Sequence, residues 1–217
     1  MTAFCTDRDI LAVEPLVYVS GAAPAQTLVG GDDGQLAGTS FTSTQSNFTD
    51  AGAAGGMALI VLRGSPPGRQ ALEIVSVDGT TQLTVSILRP DAGGEPIAPA
   101  PGTDLPFELR TYAAQIAGVS ADLAEKLRTA SEAAGVAAAD FADSAQLART
   151  CALGVLASVF TARAENARPD DANWTKAAHY RRAFDRAQVQ LRLVVDADAD
   201  GRGESTRTLG NVTLRRT

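Results

Sequence analysis

The sequence has few of the residues on which most catalytic and metal sites depend. It contains one histidine, His179, and two cysteines, Cys5 and Cys151. Histidine is the side chain that titrates nearest to neutral pH, and histidine and cysteine are the usual zinc ligands. No serine has nucleophile-elbow spacing, no glycine-rich loop matches a phosphate cradle, and no cysteine pair has zinc-site spacing. The sequence therefore predicts a protein that is not an enzyme and that needs no cofactor.

The chain also lacks the positive charge that a dedicated duplex-DNA binder needs. Its formal net charge is -6, whereas DNA binding requires a basic face that displaces counterions from the phosphates. The charge is uneven, because residues 1–110 contain 5 basic and 12 acidic residues and residues 111–217 contain 14 and 13. We therefore expect an acidic first half and a nearly neutral second half with arginine clusters.

Long hydrophobic runs are absent as well, which argues against membrane insertion. No apolar run approaches 18 residues, and no basic, hydrophobic leader follows Met1. We expect a soluble protein made in a cytoplasm, with Cys5 and Cys151 as two unpaired small apolar residues in a reduced compartment. Aromatic residues make up only 5% of the chain. Its alanine-rich helices bury little area each, so they complete their burial against neighbouring subunits.

The first half of the sequence predicts a short helix followed by a small β domain. Thr6 and Asp9 have the spacing of a helix N-cap, and residues 1–20 are assigned to a helical bundle. In residues 21–106, short β-branched runs alternate with Gly, Pro, Asn and Asp clusters, which is typical of a small antiparallel barrel. The strands are expected at 26–29, 39–42, 57–62, 71–77 and 83–88. The glycine-rich run at 30–34 is expected to be a turn, and residues 91–106 a proline-rich linker.

The second half predicts the rest of the helical bundle, over residues 107–195. Helices are expected at 107–130 and 138–166, and a third is capped by Asp170 or Asp171. Apolar residues three and four apart predict a buried seam between the last two helices, formed by Trp174, Tyr180, Phe184 and Leu191 against Phe141, Val155 and Val159. Residues 196–217 predict an acidic turn and an extended C-terminal arm. The fold class is therefore α+β, a helical bundle with an inserted small antiparallel β-barrel and an extended arm.

Two groups of residues are candidate interface contacts. Arg181, Arg182 and Arg186 form either a solvated helix face or a subunit contact in which arginines pair with carboxylates of a neighbour. The terminal arm offers a strand for pairing with a partner, with three apolar contact points, Leu209, Val212 and Leu214.

One segment has the opening of a calcium loop. Asp196, Asp198 and Asp200 alternate and a glycine follows, as in loops where oxygen ligands converge on calcium. The twelfth position is Arg207, where a calcium loop requires a bidentate glutamate. The pattern therefore favours an acidic solvated turn over a calcium site.

Three stretches of the sequence resemble the head–tail adaptor (head completion or connector) proteins of tailed bacteriophages. The first is TDRDILAVEP, which begins at Thr6. The second is the β module, with FTDAG from Phe48, EIVSV from Glu73 and QLTVS from Gln82. The third is LRLVVDADADG from Leu191, followed by VTLRR from Val212.

The resemblance implies a structural protein of the virion neck. Such adaptors form a homo-oligomeric ring, typically of twelve copies, between the portal protein and a downstream neck or tail protein. Helical bundles form the ring wall, genomic DNA passes through the channel without sequence-specific binding, and the C-terminal segment reaches the portal. The implied location is the head–tail interface of the virion, after assembly in the bacterial host cytoplasm. The β-barrel departs from the simplest adaptors, which are nearly all helical.

A second hypothesis belongs to a different functional class. The barrel could be a small-ligand or glycan-binding module on a helical oligomerisation stalk. An exposed aromatic cluster on the barrel would favour this hypothesis, and Phe41 and Phe48 are the aromatic residues available there.

Overall fold

The computed structural model describes residues 3–19, 25–64, 68–134, 138–141, 143–165, 171–196 and 205–209. The fold is α+β, as predicted, and the chain divides into two compact units. The first, the barrel unit, comprises Thr6–Ala113. The second, the helical unit, combines Met1–Cys5 with Ala114–Thr217.

A closed antiparallel β-barrel forms the centre of the barrel unit and confirms the predicted barrel. Its strands lie in the order β1-β2-β5-β4-β3-β6, and β6 pairs with β1 to close the sheet. Closure leaves no sheet edge open to other chains. The strands are β1 (Gln26–Ala37), β2 (Ser40–Thr42), β3 (Ala58–Arg63), β4 (Gly68–Val77), β5 (Gln82–Ser86) and β6 (Gly102–Thr111).

The closing strand β6 was not predicted. The sequence indicated a linker over 91–106 and a helix from 107, but residues 102–111 form a strand between β1 and β3. Leu105, Phe107 and Leu109 alternate along β6 and are buried inside the barrel. Pro106 lies between them at an exposed position, where its missing N–H weakens the strand signal in the sequence.

The glycine-rich run at 30–34 is part of β1, so the predicted turn is wrong. A Cβ placed on Gly34 would lie 2.7 Å from the Leu105 carbonyl oxygen, and one on Gly30 would lie 2.9 Å from the Phe107 carbonyl oxygen. The pairing of β1 with β6 shifts register across this run. The glycines therefore allow β1 to bend and to approach β6 more closely than other residues could.

Apolar side chains fill the barrel interior. Phe41 is central, with its ring centroid 5.0 Å from that of Phe107 and 6.1 Å from that of Phe48. Such aromatic pairs add to the stability that burial alone provides. The buried cluster consists of Leu36, Phe41, Phe48, Leu59, Val61, Leu72, Ile74, Leu83, Val85, Leu105, Phe107 and Leu109.

Two short N-terminal helices belong to the barrel unit, whereas the sequence assigned residues 1–20 to the helical bundle. Helix α1 (Asp7–Val13) begins with the expected capping pair, since the Thr6 N–H donates to Asp9 Oδ2 at 2.7 Å. Helix α2 (Leu16–Val19) follows directly. The Arg8 N–H donates to the Gly56 carbonyl at 2.8 Å, which ties α1 to the chain entering β3.

The helical unit contains three long helices and a small sheet within the described residues. The helices are α3 (Ala113–Ala134), α4 (Ser144–Glu165) and α5 (Ala172–Gln190). Strands β7 (Ala138–Phe141), β8 (Arg192–Asp196) and β9 (Ser205–Thr208) form an antiparallel sheet in the order β7-β8-β9. The sequence had placed residues 138–141 in a helix, because the alanine-rich run gave no strand signal.

Helix α4 is the core helix of its unit. By length and composition alone it could cross a membrane, with a mean hydropathy of 1.3 over its most apolar window. However, 61% of that window is buried inside the protein. A helix that is apolar on all sides is typical of a buried core position.

Candidate interaction surface

Helix α5 is anchored at its start and along one face. Asp171 is its N-cap, with Oδ1 accepting the Asn173 N–H at 2.8 Å, so one of the two predicted caps is confirmed. Tyr180 is buried and stacks on Phe160 of α4, with 5.4 Å between ring centroids. This packing fixes which side of α5 points outward.

The predicted seam between α4 and α5 is correct at its centre and wrong at its start. Val155, Val159, Tyr180 and Leu191 are buried, as expected. Trp174 is 44% exposed and Phe184 is half-buried. The side chain of Phe141 lies outside the described residues. Trp174 lies six positions before Tyr180, which places the two side chains about 120° apart around the helix. The predicted stripe reached Trp174 by two successive steps of three residues, which together leave the buried side of α5.

The outward side of α5 carries an exposed stripe that we call the α5 face. Its residues are three or four positions apart, which places them on one side of a helix. Large apolar side chains mark both ends, because Trp174 is 44% exposed and Val189 is 54% exposed. The α5 face consists of Trp174, Ala178, Arg182, Arg186 and Val189.

A shallow depression of about 640 Å³ runs along the first part of the α5 face. The exposed ring of His179 borders it and lies edge-on to Tyr180, with 5.1 Å between centroids. The depression combines indole, imidazole and guanidinium groups, which are enriched in protein interfaces. Its lining residues are Trp174, Thr175, Ala178, His179, Arg182, Ala183 and Arg186.

Within the described residues, no carboxylate neutralises the arginines of the α5 face. Within the described part of the chain, neither Arg182 nor Arg186 forms an ion pair. Arg181, by contrast, lies 3.5 Å from Asp185. Guanidinium groups bind carboxylates through paired hydrogen bonds, so the face suits a partner that presents acidic side chains.

The predicted arginine group is divided between two sides of α5. Arg181 lines a separate groove of about 510 Å³ with residues of α3 and α4, including Asp122 and Glu165. Gly154 permits the close packing beside this groove, because a Cβ there would lie 2.7 Å from Val119 Cγ1 and 2.8 Å from Phe184 Cε2. Only Arg182 and Arg186 share the α5 face.

The structure describes little of the other predicted site residues. Leu209 is half-buried, and its N–H donates to the Leu191 carbonyl at 2.8 Å. Asp196 ends β8. Val212, Leu214, Asp198 and Asp200 lie outside the described residues. In the described ranges, no group of three His, Cys, Asp or Glu side chains is placed to hold a metal ion.

Sequence reasoning missed a buried carboxyl group in the barrel unit. Asp7 is only 3% exposed and accepts hydrogen bonds from the Tyr18 hydroxyl (2.6 Å), the Thr111 hydroxyl (2.6 Å) and the Tyr112 N–H (2.7 Å). Burial raises the pKa of Asp7, although these three hydrogen bonds oppose the shift. The arrangement joins α1, α2 and the end of β6, so Asp7 is a structural group.

A second missed group is a buried cluster of one glutamate and two arginines. Glu73 of β4 is fully buried, and its Oε1 accepts hydrogen bonds from the backbone N–H and the guanidinium of Arg89. Arg8 Nε approaches Glu73 Oε2 to 2.7 Å without hydrogen-bond alignment. The cluster joins α1, β4 and the segment after β5. Its charges are far apart in sequence, so no local pattern could indicate it.

Asp33, within the glycine-rich run, also has a structural role. It accepts hydrogen bonds from the Ser43 hydroxyl (2.6 Å) and from the N–H groups of Thr44 (2.7 Å) and Gln45 (3.1 Å). These bonds lower the pKa of Asp33, with the Ser43 bond making the largest contribution. The carboxylate therefore fixes the segment that follows β2.

No protein-family model matches this chain, and no curated protein or solved structure matches it. Evidence for a function therefore comes from the sequence resemblance and from the chemistry of the α5 face.

Proposed function

We propose that the protein is a structural component of a bacteriophage neck, a ring-forming adaptor that joins the portal to the tail and lines the DNA passage. The observation that carries the proposal is the α5 face, where exposed Trp174 and Val189 flank two arginines that form no ion pair with the residues that the structure describes. Tryptophan and arginine are the residues most enriched among energetically important interface contacts. A neighbouring copy that covers this face would bury the apolar groups and supply carboxylates.

In this proposal, α3, α4 and α5 form an adaptor-like helical bundle that makes the ring wall. The alanine-rich core supports close packing but leaves apolar surface to be covered by neighbours. The ring contains twelve copies, as in the family that the sequence resembles. The predicted arm began at residue 206, but residues 205–208 form β9, which pairs with β8. In the proposal, the chain beyond β9 is the arm that reaches the portal, with Leu209 at its anchored start and Val212 and Leu214 as contacts beyond it.

The remaining partners follow from the charge distribution. An acidic chain does not hold DNA by phosphate contacts, so genomic DNA passes through the ring without sequence-specific binding. The ring contacts the portal protein on one side and a neck or tail protein on the other. The protein acts without catalysis or a cofactor, is located at the head–tail interface of the virion and is assembled in the host cytoplasm.

The glycan-binding hypothesis has less support. Phe41 and Phe48 are fully buried inside the barrel, so they cannot stack on a sugar at its surface. In the described part of the barrel unit, the exposed large hydrophobic residues are aliphatic, namely Leu16, Ile87 and Ile97. The exposed tryptophan lies in the helical unit instead, where it favours a protein contact.

Portal binding can be tested with a shortened arm. We expect the purified full-length chain to add mass to a portal ring in mass photometry, and the chain lacking residues 210–217 to add none. This truncation keeps β9, so the circular dichroism spectrum should retain the helical signal of the full chain. Equal binding by both chains would contradict the role of the arm, and no binding by the full chain would contradict the adaptor proposal.

A further inference from the structure

The two cysteines of the chain lie side by side, although 146 positions separate them. Cys5 Sγ and Cys151 Sγ are 2.8 Å apart. Both are reduced and both are buried, with exposed fractions of 4% for Cys5 and 0% for Cys151. The sequence predicted two unpaired cysteines, and nothing in their spacing indicates that the fold brings them together.

The surroundings hold the two thiols in this position. Cys5 belongs to the short first segment of the helical unit, Met1–Cys5, and Cys151 lies in the core helix α4. Ser120 of α3 links the first segment to α4, because its hydroxyl accepts the Phe4 N–H at 3.0 Å and lies 3.6 Å from Cys151 Sγ. The first segment is therefore fixed against α3 and α4 by a neighbouring buried side chain.

We propose that Cys5 and Cys151 are an intramolecular disulfide site that closes when the protein meets a disulfide oxidant such as oxidised glutathione. A disulfide needs about 2.05 Å between its sulfur atoms, so the thiols must approach by less than about 1 Å. Local opening of the short first segment exposes Cys5 to the oxidant.

The reaction is a pair of thiol–disulfide exchanges. The Cys5 thiolate attacks one sulfur of oxidised glutathione, which breaks its S–S bond and releases one glutathione thiolate. The Cys151 thiolate then attacks Cys5 Sγ of the mixed disulfide, which forms the Cys5–Cys151 bond and releases the second glutathione. The two cysteines are oxidised by two electrons in total, and their two protons pass to the two glutathione thiolates.

Closure would join the two separate chain segments from which the helical unit is built. The closed loop would contain the whole barrel unit, Thr6–Ala113, and a long closed loop restricts the unfolded chain strongly. We expect the oxidised protein to melt roughly 5–15 °C above the reduced protein. Disulfides are uncommon in a reducing cytoplasm and persist outside cells. In the proposed virion protein, closure would therefore follow release from the host, although the chemistry does not depend on that proposal.

Intact-protein mass spectrometry after thiol alkylation tests the site directly. The full-length chain is equilibrated in glutathione buffers from fully reduced to fully oxidised, quenched with acid and alkylated. We expect the oxidised chain to lose the mass of two hydrogens and to take up no alkylating agent. We also expect no disulfide-linked dimer at any protein concentration. Its melting temperature should fall to the reduced value when the reductant is restored.

Two single variants serve as matched controls, so that a folding defect in one does not decide the result. Cys5→Ser and Cys151→Ala should each retain one cysteine, form no intramolecular bond and melt at the same temperature with and without oxidant. Ser120→Ala keeps both thiols but removes the Phe4 contact, so it should need a more oxidising buffer for half-closure. Three results would overturn the proposal. The first is alkylation of both thiols in the oxidising buffer, the second is a stable glutathione adduct in place of the bond, and the third is disulfides that form only between chains.

Discussion

At the scale of single residues, Asp7 is the polar group on which the barrel unit depends most clearly. Its carboxyl oxygens accept two hydroxyl groups and one backbone N–H in a buried position. Asp7→Ala would leave these donors buried without an acceptor. We expect a loss of about 3 kcal/mol in the free energy of unfolding, measured by urea denaturation followed by circular dichroism.

Asp7→Asn is the matched control, because it keeps an oxygen acceptor and removes the titrating group. Burial raises the pKa of Asp7 above its ordinary value, so the folded state binds the proton more tightly than the unfolded chain does. That contribution to stability is fully present below the unfolded pKa and is lost as the pH rises through the folded pKa. The stability of the wild type relative to Asp7→Asn should therefore fall as the pH rises above about 4, where an aspartate in the unfolded chain titrates. A constant difference above that pH would be evidence against the raised pKa.

The sequence could predict local residue roles but not distant ones. Thr6 and Asp9 are three positions apart, so their capping pair follows from spacing alone. Asp7 has the appearance of an ordinary acidic residue in the first turn of a helix, where a carboxylate is favourable and solvated. Its burial arises because Thr111, more than 100 positions later, ends the strand that closes the barrel.

At the scale of elements, the Arg8–Glu73–Arg89 cluster connects α1, β4 and the segment after β5. Glu73→Gln would remove the charge that compensates both arginines while nearly preserving volume. We expect the free energy of unfolding to fall by about 3–5 kcal/mol, because breaking one partner of a buried ion pair leaves an uncompensated charge. Chemical denaturation of the purified variant measures this loss.

Glu108→Gln is the control for the cluster. Glu108 also pairs with an arginine, Arg110, but its side chain is 33% exposed. Water screens such a pair, so we expect a loss below about 1 kcal/mol. Equal losses of unfolding free energy in the two variants would contradict the claim that burial makes the ion pairs of Glu73 more stabilising than that of Glu108.

The packing of α5 on α4 gives a second test at this scale. Phe160→Ala removes a ring that is 2% exposed and stacked on Tyr180, and we expect a loss of about 3–5 kcal/mol. Trp174→Ala truncates a larger side chain on the α5 face, which is 44% exposed, and should cost below about 1 kcal/mol in the isolated chain. Thermal and urea unfolding of both variants measure these losses. A larger loss in Trp174→Ala than in Phe160→Ala would contradict the assignment of Phe160 to the core and Trp174 to the exposed face.

Elements with regular periodicity were predicted, whereas those with unusual composition were not. Strands β3, β4 and β5 contain short runs rich in β-branched residues and lie close to their expected positions. Strand β6 contains Pro106, and β1 contains three glycines; both features normally indicate loops. In the barrel they occur where β1 and β6 approach each other most closely, which is a consequence of tertiary pairing and not of local preference.

At the scale of the whole molecule, the chain combines an acidic barrel unit with a helical unit whose α5 face carries Arg182 and Arg186, neither of which forms an ion pair within the described residues. Among residues of α5, the basic side chains are Lys176, Arg181, Arg182 and Arg186, and the acidic one is Asp185. We expect such a face to pair with an acidic surface of another copy, and charge complementarity of this kind favours a defined orientation. A head-to-tail contact of this type generates a closed ring when its rotation closes.

Mass photometry of the purified full-length chain tests the central claim, that the α5 face holds neighbouring copies in a ring. We predict that the wild type populates a closed assembly near twelve copies, alone or on a portal ring. Arg182→Glu should remain a folded monomer, because the reversed charge repels the carboxylates that Arg182 would bind. Arg69→Glu, the same change of charge at an exposed position on the barrel unit, should assemble like the wild type. A wild type that stays monomeric with and without the portal, or an Arg182→Glu variant that forms the same ring, would contradict the account.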